Sequence, residues 1–190
     1  MKVVAFLGSP RRYGNTELLL KETIKGIEES GSSVHTFILN EMDILPCQNC
    51  GGCDDTGTCI YEDDMYQIYD AIRTADRIIL ASPVFFFTVS AQAKLMIDRC
   101  QCIWVEKYIL KKPIPEGKFG RKGLLIMVGG MKKDIGIQCG NTVAKAFFRT
   151  ISVSEHKTLG YTSVNAKGAI LKHPTALKEV YEAGKELVKI

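Results

Sequence analysis

No apolar run in the 190-residue chain approaches the roughly 20 residues that a membrane-spanning helix needs. Charge of one sign is also scarce. Twenty-five basic and 21 acidic residues leave a net +4, too mild for a nucleic-acid-binding surface. There is no internal repeat and no low-complexity stretch. The apolar stretch after Met1 and Lys2 is only Val3 to Leu7, shorter than the core of a secretory signal. These absences give the expectation of a cytoplasmic protein with neither nucleic acid nor membrane as partner. Disulfides are uncommon in that compartment, so the seven cysteines need another account. The phosphate-binding signatures G-x-G-x-x-G and G-x4-G-K-[ST] are missing too.

What is present is cysteine in one place. Cys47, Cys50, Cys53 and Cys59 fall within thirteen residues with the spacing C-x2-C-x2-C-x5-C. Gly51, Gly52 and Gly57 permit the positive φ angles that would wrap such a loop around one centre. Tight C-x2-C-x2-C runs suit iron–sulfur clusters. Zinc sites more often separate their C-x2-C pairs or add histidine, and no histidine lies within ten residues of this loop. Three readings stay open on the residues alone: a cluster, a zinc ion, or a loop of free thiols.

The length and a hydrophobic fraction of 46% fit one domain spanning 1–190. Val3 to Leu7 reads as a strand buried on both faces. A helix follows, capped at Asn15 and ended by Gly31, with Leu20, Ile24 and Ile27 inward. Val34 to Leu39 is a second strand, and the cysteine loop, 40–61, follows it. Glu62, Asp63 and Asp64 open a helix whose dipole they complement. Arg77 to Ala81 is a third strand, and a helix from Ser90 carries Ala93, Met96, Ile97 and Cys100 on one face. Residues 104–121, basic and broken by Pro113, Pro115 and Gly117, read as an excursion. Gly123 to Val128 is a fourth strand, Asn141 to Ile151 a helix, and His156 to Val164 a fifth strand. Pro174 opens a last helix with Leu177, Val180, Tyr181, Gly184 and Val188 inward. Strands alternating with helices predict a doubly wound parallel α/β sheet. The order 2-1-3-4-5 of flavodoxin-like folds is expected, with a ligand at the switch point between strands 1 and 3.

In a parallel sheet the loops after strands 1 to 4 share one edge. The first holds Ser9, Arg11, Gly14, Asn15 and Thr16 ahead of a helix. Hydroxyls, a guanidinium and a helix N-terminus suit a phosphate. The third holds Pro83, Val84, Phe85, Phe86 and Phe87. Aromatics there can face a flat ring, or at least one can seal a core or a subunit contact. Gly129 and Gly130 open the fourth. A phosphate cradle facing an aromatic wall describes a site for flavin mononucleotide, FMN.

At these residues the chain resembles a known family. Gly8, Ser9, Pro10 and Arg11 with Gly14, Asn15 and Thr16 resemble the phosphate loop of the NADPH-dependent FMN reductase group. Ser82 to Phe85, with Ser90 to Lys94 and Asp98 and Arg99, looks like its flavin-ring loop and following helix. Cys47, Cys50, Cys53 and Cys59, followed by Asp63, Asp64 and Met65, resemble the iron–sulfur flavoprotein branch of that group. The resemblance implies FMN and a [4Fe–4S] cluster ligated by those four cysteines. It implies phosphate contacts from Ser9, Arg11, Asn15 and Thr16, and a ring wall of Pro83 to Phe86. It also implies electron exchange with a small ferredoxin-like carrier, and a homodimer or homotetramer in which one subunit's cluster lies near a neighbour's flavin.

An NAD(P)H-dependent FMN or quinone reductase with a structural or zinc-bound cysteine loop is the competing reading, and a cysteine-based sensor is a third. No histidine is assigned a catalytic role. Cys100, Cys102 and Cys139 read as spectator thiols, with Cys139 on the ligand edge. Lys107, Lys111, Lys112, Lys118 and Arg121 form a basic run that could attract an acidic carrier.

Overall fold

A computed structural model describes residues 1–189. Strands β1 (Lys2–Leu7), β2 (Ser33–Ile38), β3 (Arg77–Pro83), β4 (Lys122–Val128) and β5 (Glu155–Tyr161) form one sheet. Its order is β2-β1-β3-β4-β5, and every pairing is parallel. The expected flavodoxin-like order is therefore the observed one.

The central strands read as unbroken apolar runs because both faces are covered. Val4, Phe6, Ile78, Leu80, Leu125 and Met127 point into one core. Helices α2 (Met65–Thr74), α3 (Ala91–Arg99), α4 (Gln101–Tyr108) and α5 (Ile135–Thr150) supply its other wall. Val3, Ala5, Leu7, Ile79, Leu124 and Ile126 alternate with them into a second core under α1 (Asn15–Glu29) and α6 (Ala176–Leu187). A side chain such as Phe6, wholly buried, contributes about 1.5–3 kcal/mol by leaving water. Helices α1 and α6 meet through glycine. A Cβ on Gly26 would lie 2.2 Å from the Tyr181 carbonyl oxygen, and one on Gly184 would lie 2.2 Å from that of Thr23.

Several expected boundaries are corrected. Gly14, not Asn15, is the N-cap of α1. The Asn15 amide instead donates to the Ala166 carbonyl at 2.9 Å and accepts from the Ile170 N–H at 3.2 Å. Helix α2 starts at Met65, because Asp63 and Asp64 turn back to the preceding loop: Asp64 accepts from the Asp43 N–H at 2.7 Å. The expected excursion over 104–121 is helical up to Tyr108, since Cys102, Ile103 and Val105 give α4 a buried face. Helix α5 begins at Ile135 rather than Asn141, so Cys139 lies on a helix and not in a loop.

The basic run shrinks as well. Arg121 is buried and donates to the Ile72 carbonyl at 2.6 Å. Burial brings its pKa down to about 10. Lys107 reaches the Arg149 carbonyl, which leaves Lys111, Lys112 and Lys118 exposed. Among the described residues, no helix is long and apolar enough to cross a membrane.

Candidate functional site: the loops at the C-terminal edge of the sheet

The loop after β1 is built to hold a fixed curve. Gly8 donates to the Ala81 carbonyl at 2.8 Å, which binds the end of β1 to β3. Ser9 is buried, and its Oγ accepts from the Arg11 N–H at 3.2 Å. Gly14 donates back to the Arg11 carbonyl at 3.2 Å, and a Cβ there would sit 2.9 Å from that oxygen. Thr16 is buried in the first turn, while the Arg11 side chain stands free at the surface. Sequence reasoning missed the role of Glu17. Its buried carboxylate accepts from the Tyr13 N–H at 2.5 Å and pairs with Lys21 at 2.9 Å. Burial by itself would raise its pKa, but the Lys21 and Tyr13 hydrogen bonds prevail and hold it below the ordinary value. Tyr13 takes φ 55°, the left-handed conformation that this N–H contact supports.

The loop after β3 presents aromatics. Val84 donates to the Val128 carbonyl at 2.8 Å, and Phe85 and Thr88 exchange backbone hydrogen bonds at 2.9 and 3.0 Å. Between them Phe86 and Phe87 have φ of 44° and 65°. Two positive φ angles in a two-residue turn normally select Asn-Gly, and holding a bulky residue there costs on the order of 1–3 kcal/mol. None of the three rings seals the core of the protomer, which leaves the subunit contact of the two expected alternatives. Phe85 is 45% exposed, Phe87 48% and Phe86 100%.

The glycines after β4 make room for neighbours. A Cβ on Gly129 would lie 2.8 Å from Val84 Cβ, and one on Gly130 would lie 3.1 Å from Asn165. Their bareness lets Val84 pack against the strand end, beside a small cavity also lined by Met131, Gly136 and Tyr161.

The cysteine connection runs from the one-turn 3-10 helix Leu39–Glu41 to α2. Its start is tied to the loop after β1 and to α3: Arg12 pairs with Glu41 at 2.6 Å, and Gln92 bonds Asn40 at 3.2 Å. Gly51 and Gly57 have φ of 76° and 70°, as the sequence predicts. Gly52 does not. It yields space to Ile60, whose Cγ2 would be 2.8 Å from an added Cβ, and Asn49 takes the third positive φ, 49°. Cys47, Cys50, Cys53 and Cys59 line one cavity, and all four are free thiols. Burial, reinforced by Cys102 and Asp54, pushes the Cys53 thiol up. Among the described residues, no three Cys, His, Asp or Glu side chains are grouped to hold a single metal ion.

Two lining residues were not singled out from the sequence as ligands or partners. Cys102 on α4 and Arg99 at the end of α3 complete the cavity floor. Arg99 is 1% exposed and pairs with Asp63, 3% exposed. Burial opposes both charges, yet their hydrogen bonds prevail: the guanidinium is held more strongly protonated and the carboxyl lies below its usual range.

A family model described as NADPH-dependent FMN reductase matches residues 1–158. An iron–sulfur flavoprotein of Archaeoglobus fulgidus is 36% identical over 133 residues, 70% of this chain and 57% of that protein. One from Methanosarcina thermophila is 32% identical over 132 residues, 70% of this chain and 65% of the other. The matched stretch thus spans less than two thirds of either relative. Among solved structures, an NAD(P)H:quinone oxidoreductase from Methanothermobacter marburgensis superposes with a TM-score of 0.75 at 15% identity, over 100% of this chain and 98% of that one. An FMN-dependent NADH-azoreductase from Bacillus anthracis in complex with FMN gives 0.72 at 14%, over the whole of both chains. Likeness at that identity establishes the flavodoxin-like fold alone. The family match covers most of the chain, and the chain belongs to the NADPH-dependent FMN reductase family.

Proposed function

We propose that this protein is a cytoplasmic oxidoreductase, a single flavodoxin-like domain that binds FMN and carries a [4Fe–4S] cluster on the Cys47–Cys59 loop. In this reading it exchanges electrons with a small ferredoxin-like carrier. The observation that carries the proposal is the cavity lined by all four loop cysteines, on the same sheet edge as the phosphate-type loop after β1. The four thiols line one cavity, and a soft, all-thiolate donor set fits a cluster.

When bound, the flavin supplies one- or two-electron chemistry and the cluster one-electron chemistry. The chain's task is to place and insulate them. Backbone N–H groups at the start of α1, with Ser9, Arg11, Asn15 and Thr16, would hold the phosphate. Pro83, Val84, Phe85 and Phe86, with Gly129 and Gly130 behind Val84, would form the ring wall. Cys47, Cys50, Cys53 and Cys59 would ligate the cluster. The exposed Phe85, Phe86 and Phe87 favour a homodimer or homotetramer that covers them, with one subunit's cysteine loop near a neighbour's flavin. A shorter cluster-to-flavin path within one subunit than between subunits would overturn that arrangement.

Anaerobic purification followed by iron, acid-labile sulfide and flavin analysis tests the reading. A brown protein with four irons per cluster and flavin bands is expected. A yellow protein without iron or sulfide, whose flavin is bleached at once by NADPH, sinks it in favour of an NAD(P)H-dependent FMN or quinone reductase.

A further inference from the structure

The side chain of Arg99 is the least expected part of the cysteine cavity. A guanidinium at the C-terminal end of a helix normally lies in solvent, but this one is buried. Nη1 donates to the Leu45 carbonyl at 2.7 Å and to Asp63, and Nη2 donates to Asp63 Oδ1 at 3.1 Å. Nη2 also points at Cys59 Sγ, 3.4 Å away. The Tyr61 ring centroid lies 5.5 Å from the guanidinium carbon. Nε has no hydrogen-bond partner although it is buried, a costly state for a charged donor. Asp63 in turn accepts from the Leu45 and Met65 N–H groups at 2.9 and 3.0 Å. One ion pair therefore grips both ends of the cysteine loop and leaves donor capacity directed at a ligand sulfur.

We infer that Arg99 is a positioning residue that sets the reduction potential of the centre held by the loop, through its hydrogen bond to Cys59 Sγ. The inference rests on the iron–sulfur reading above. Reduction adds one negative charge to a cluster and its thiolates. A fixed cation and an N–H donor at one thiolate stabilise the reduced form more than the oxidised one, so the potential rises. The low-dielectric surroundings strengthen the effect. Asp63 shares Nη2 with Cys59 Sγ and offsets part of the cation's field, but it also fixes the guanidinium in place, and the N–H···S hydrogen bond acts on the sulfur directly. Lysine cannot replace this arrangement. A compact ammonium can pair with Asp63, but it lacks the planar fork that serves carboxylate and sulfur together.

The test compares wild type with Arg99→Lys, both purified anaerobically. Iron and sulfide are counted, and a dye-mediated titration follows the cluster by electron paramagnetic resonance and the flavin by visible absorption. The expected result is full iron content in both and an unmoved flavin couple. At a fixed solution potential the reduced-to-oxidised ratio of the cluster falls about tenfold in Arg99→Lys, a shift of about 59 mV for one electron. Arg99→Gln, which leaves Asp63 buried without its partner, is expected to fall further if it folds, and the lysine variant carries the test if it does not. Equal cluster potentials in two iron-replete proteins overturn the inference. Loss of iron from Arg99→Lys overturns it as well, and reduces Arg99 to a scaffold residue. A wild type without iron or sulfide fails at the earlier step and overturns the iron–sulfur reading, a result distinct from equal potentials.

Discussion

Ser90 Oγ donates to the Gly8 carbonyl at 2.5 Å while accepting from the Ala93 N–H at 3.2 Å as the N-cap of α3. Its own N–H donates to Ser82 Oγ at 2.9 Å. One buried serine thus joins the start of the phosphate-type loop, the end of β3 and the start of α3. A cap alone is worth about 1 kcal/mol, and an orphaned buried carbonyl adds about 1–3 kcal/mol. Ser90→Ala is expected to lower unfolding stability by about 2–4 kcal/mol in denaturant melts. It is also expected to weaken FMN binding, measured by fluorescence quenching, because Gly8 is then free to shift. Ser90→Thr, which restores the hydroxyl, is expected to recover part of both.

Glu17 couples the same loop to pH. Its pKa is depressed in the fold, chiefly because the Lys21 and Tyr13 contacts outweigh burial. A depressed carboxyl contributes stability that is complete above its unfolded value, near 4.3, and is lost as pH falls through the lower folded value. Stability is therefore expected to be flat from pH 7 to about 5.5 on this account and to fall below about 4. Glu17→Gln keeps an acceptor for the Tyr13 N–H but has no charge to lose, so its acid limb is expected to be shallower. Lys21 is half exposed, which limits the ion-pair share to a fraction of a kcal/mol. Denaturant midpoints of the two proteins across pH 3–7 check this. Parallel acid limbs would count against it.

The sheet was legible because each central strand is a continuous apolar run, which only a doubly covered sheet can accommodate. The edge loops were legible because glycine, serine and aromatics interrupt those runs at the strand ends. Helix starts were harder. Helix α5 begins at Ile135 after Asp134, a residue type that favours helix starts but makes no side-chain capping bond here. Helix α4 was masked by Pro113, Pro115 and Gly117, which end the segment without disturbing its first two turns. Arg99 was out of reach for a different reason. Its burial depends on Asp63, distant in sequence, and on the path of the cysteine loop, so a basic residue in a helix gave no local cue. Asn15 illustrates the same limit, since its partners Ala166 and Ile170 come from the far end of the chain.

Phe86 sets stability against function. Its positive φ and full exposure offer the isolated protomer nothing in return for the strain. Phe86→Gly removes the steric penalty and is expected to stabilise the protomer by about 1 kcal/mol. If the ring lines a flavin or covers a neighbouring subunit, the same change weakens FMN retention or oligomer formation. Thermal melts should therefore rise while flavin content after gel filtration, or the apparent mass, falls. A lower melting temperature with unchanged flavin and mass would refute this account of the loop.

On the cluster reading, Cys53 is a ligand and Cys102 a bystander within one cavity. Both line it, but Cys53 lies on the glycine-rich loop, whose backbone wraps the space: Gly57 donates to the Cys53 carbonyl at 2.8 Å. Cys102 is fixed on α4, buried, with its thiol directed at the Arg99 carbonyl at 3.6 Å. A cluster with four loop ligands has no vacancy for a fifth thiol. Cys53→Ser is expected to cut bound iron and sulfide to less than half while FMN stays near stoichiometric, because the loops proposed to hold the flavin follow β1 and β3, apart from the cysteine loop. Cys102→Ser is expected to keep its iron and to change the spectrum little. If Cys102→Ser lost the iron and Cys53→Ser kept it, Cys102 would replace Cys53 in the ligand set.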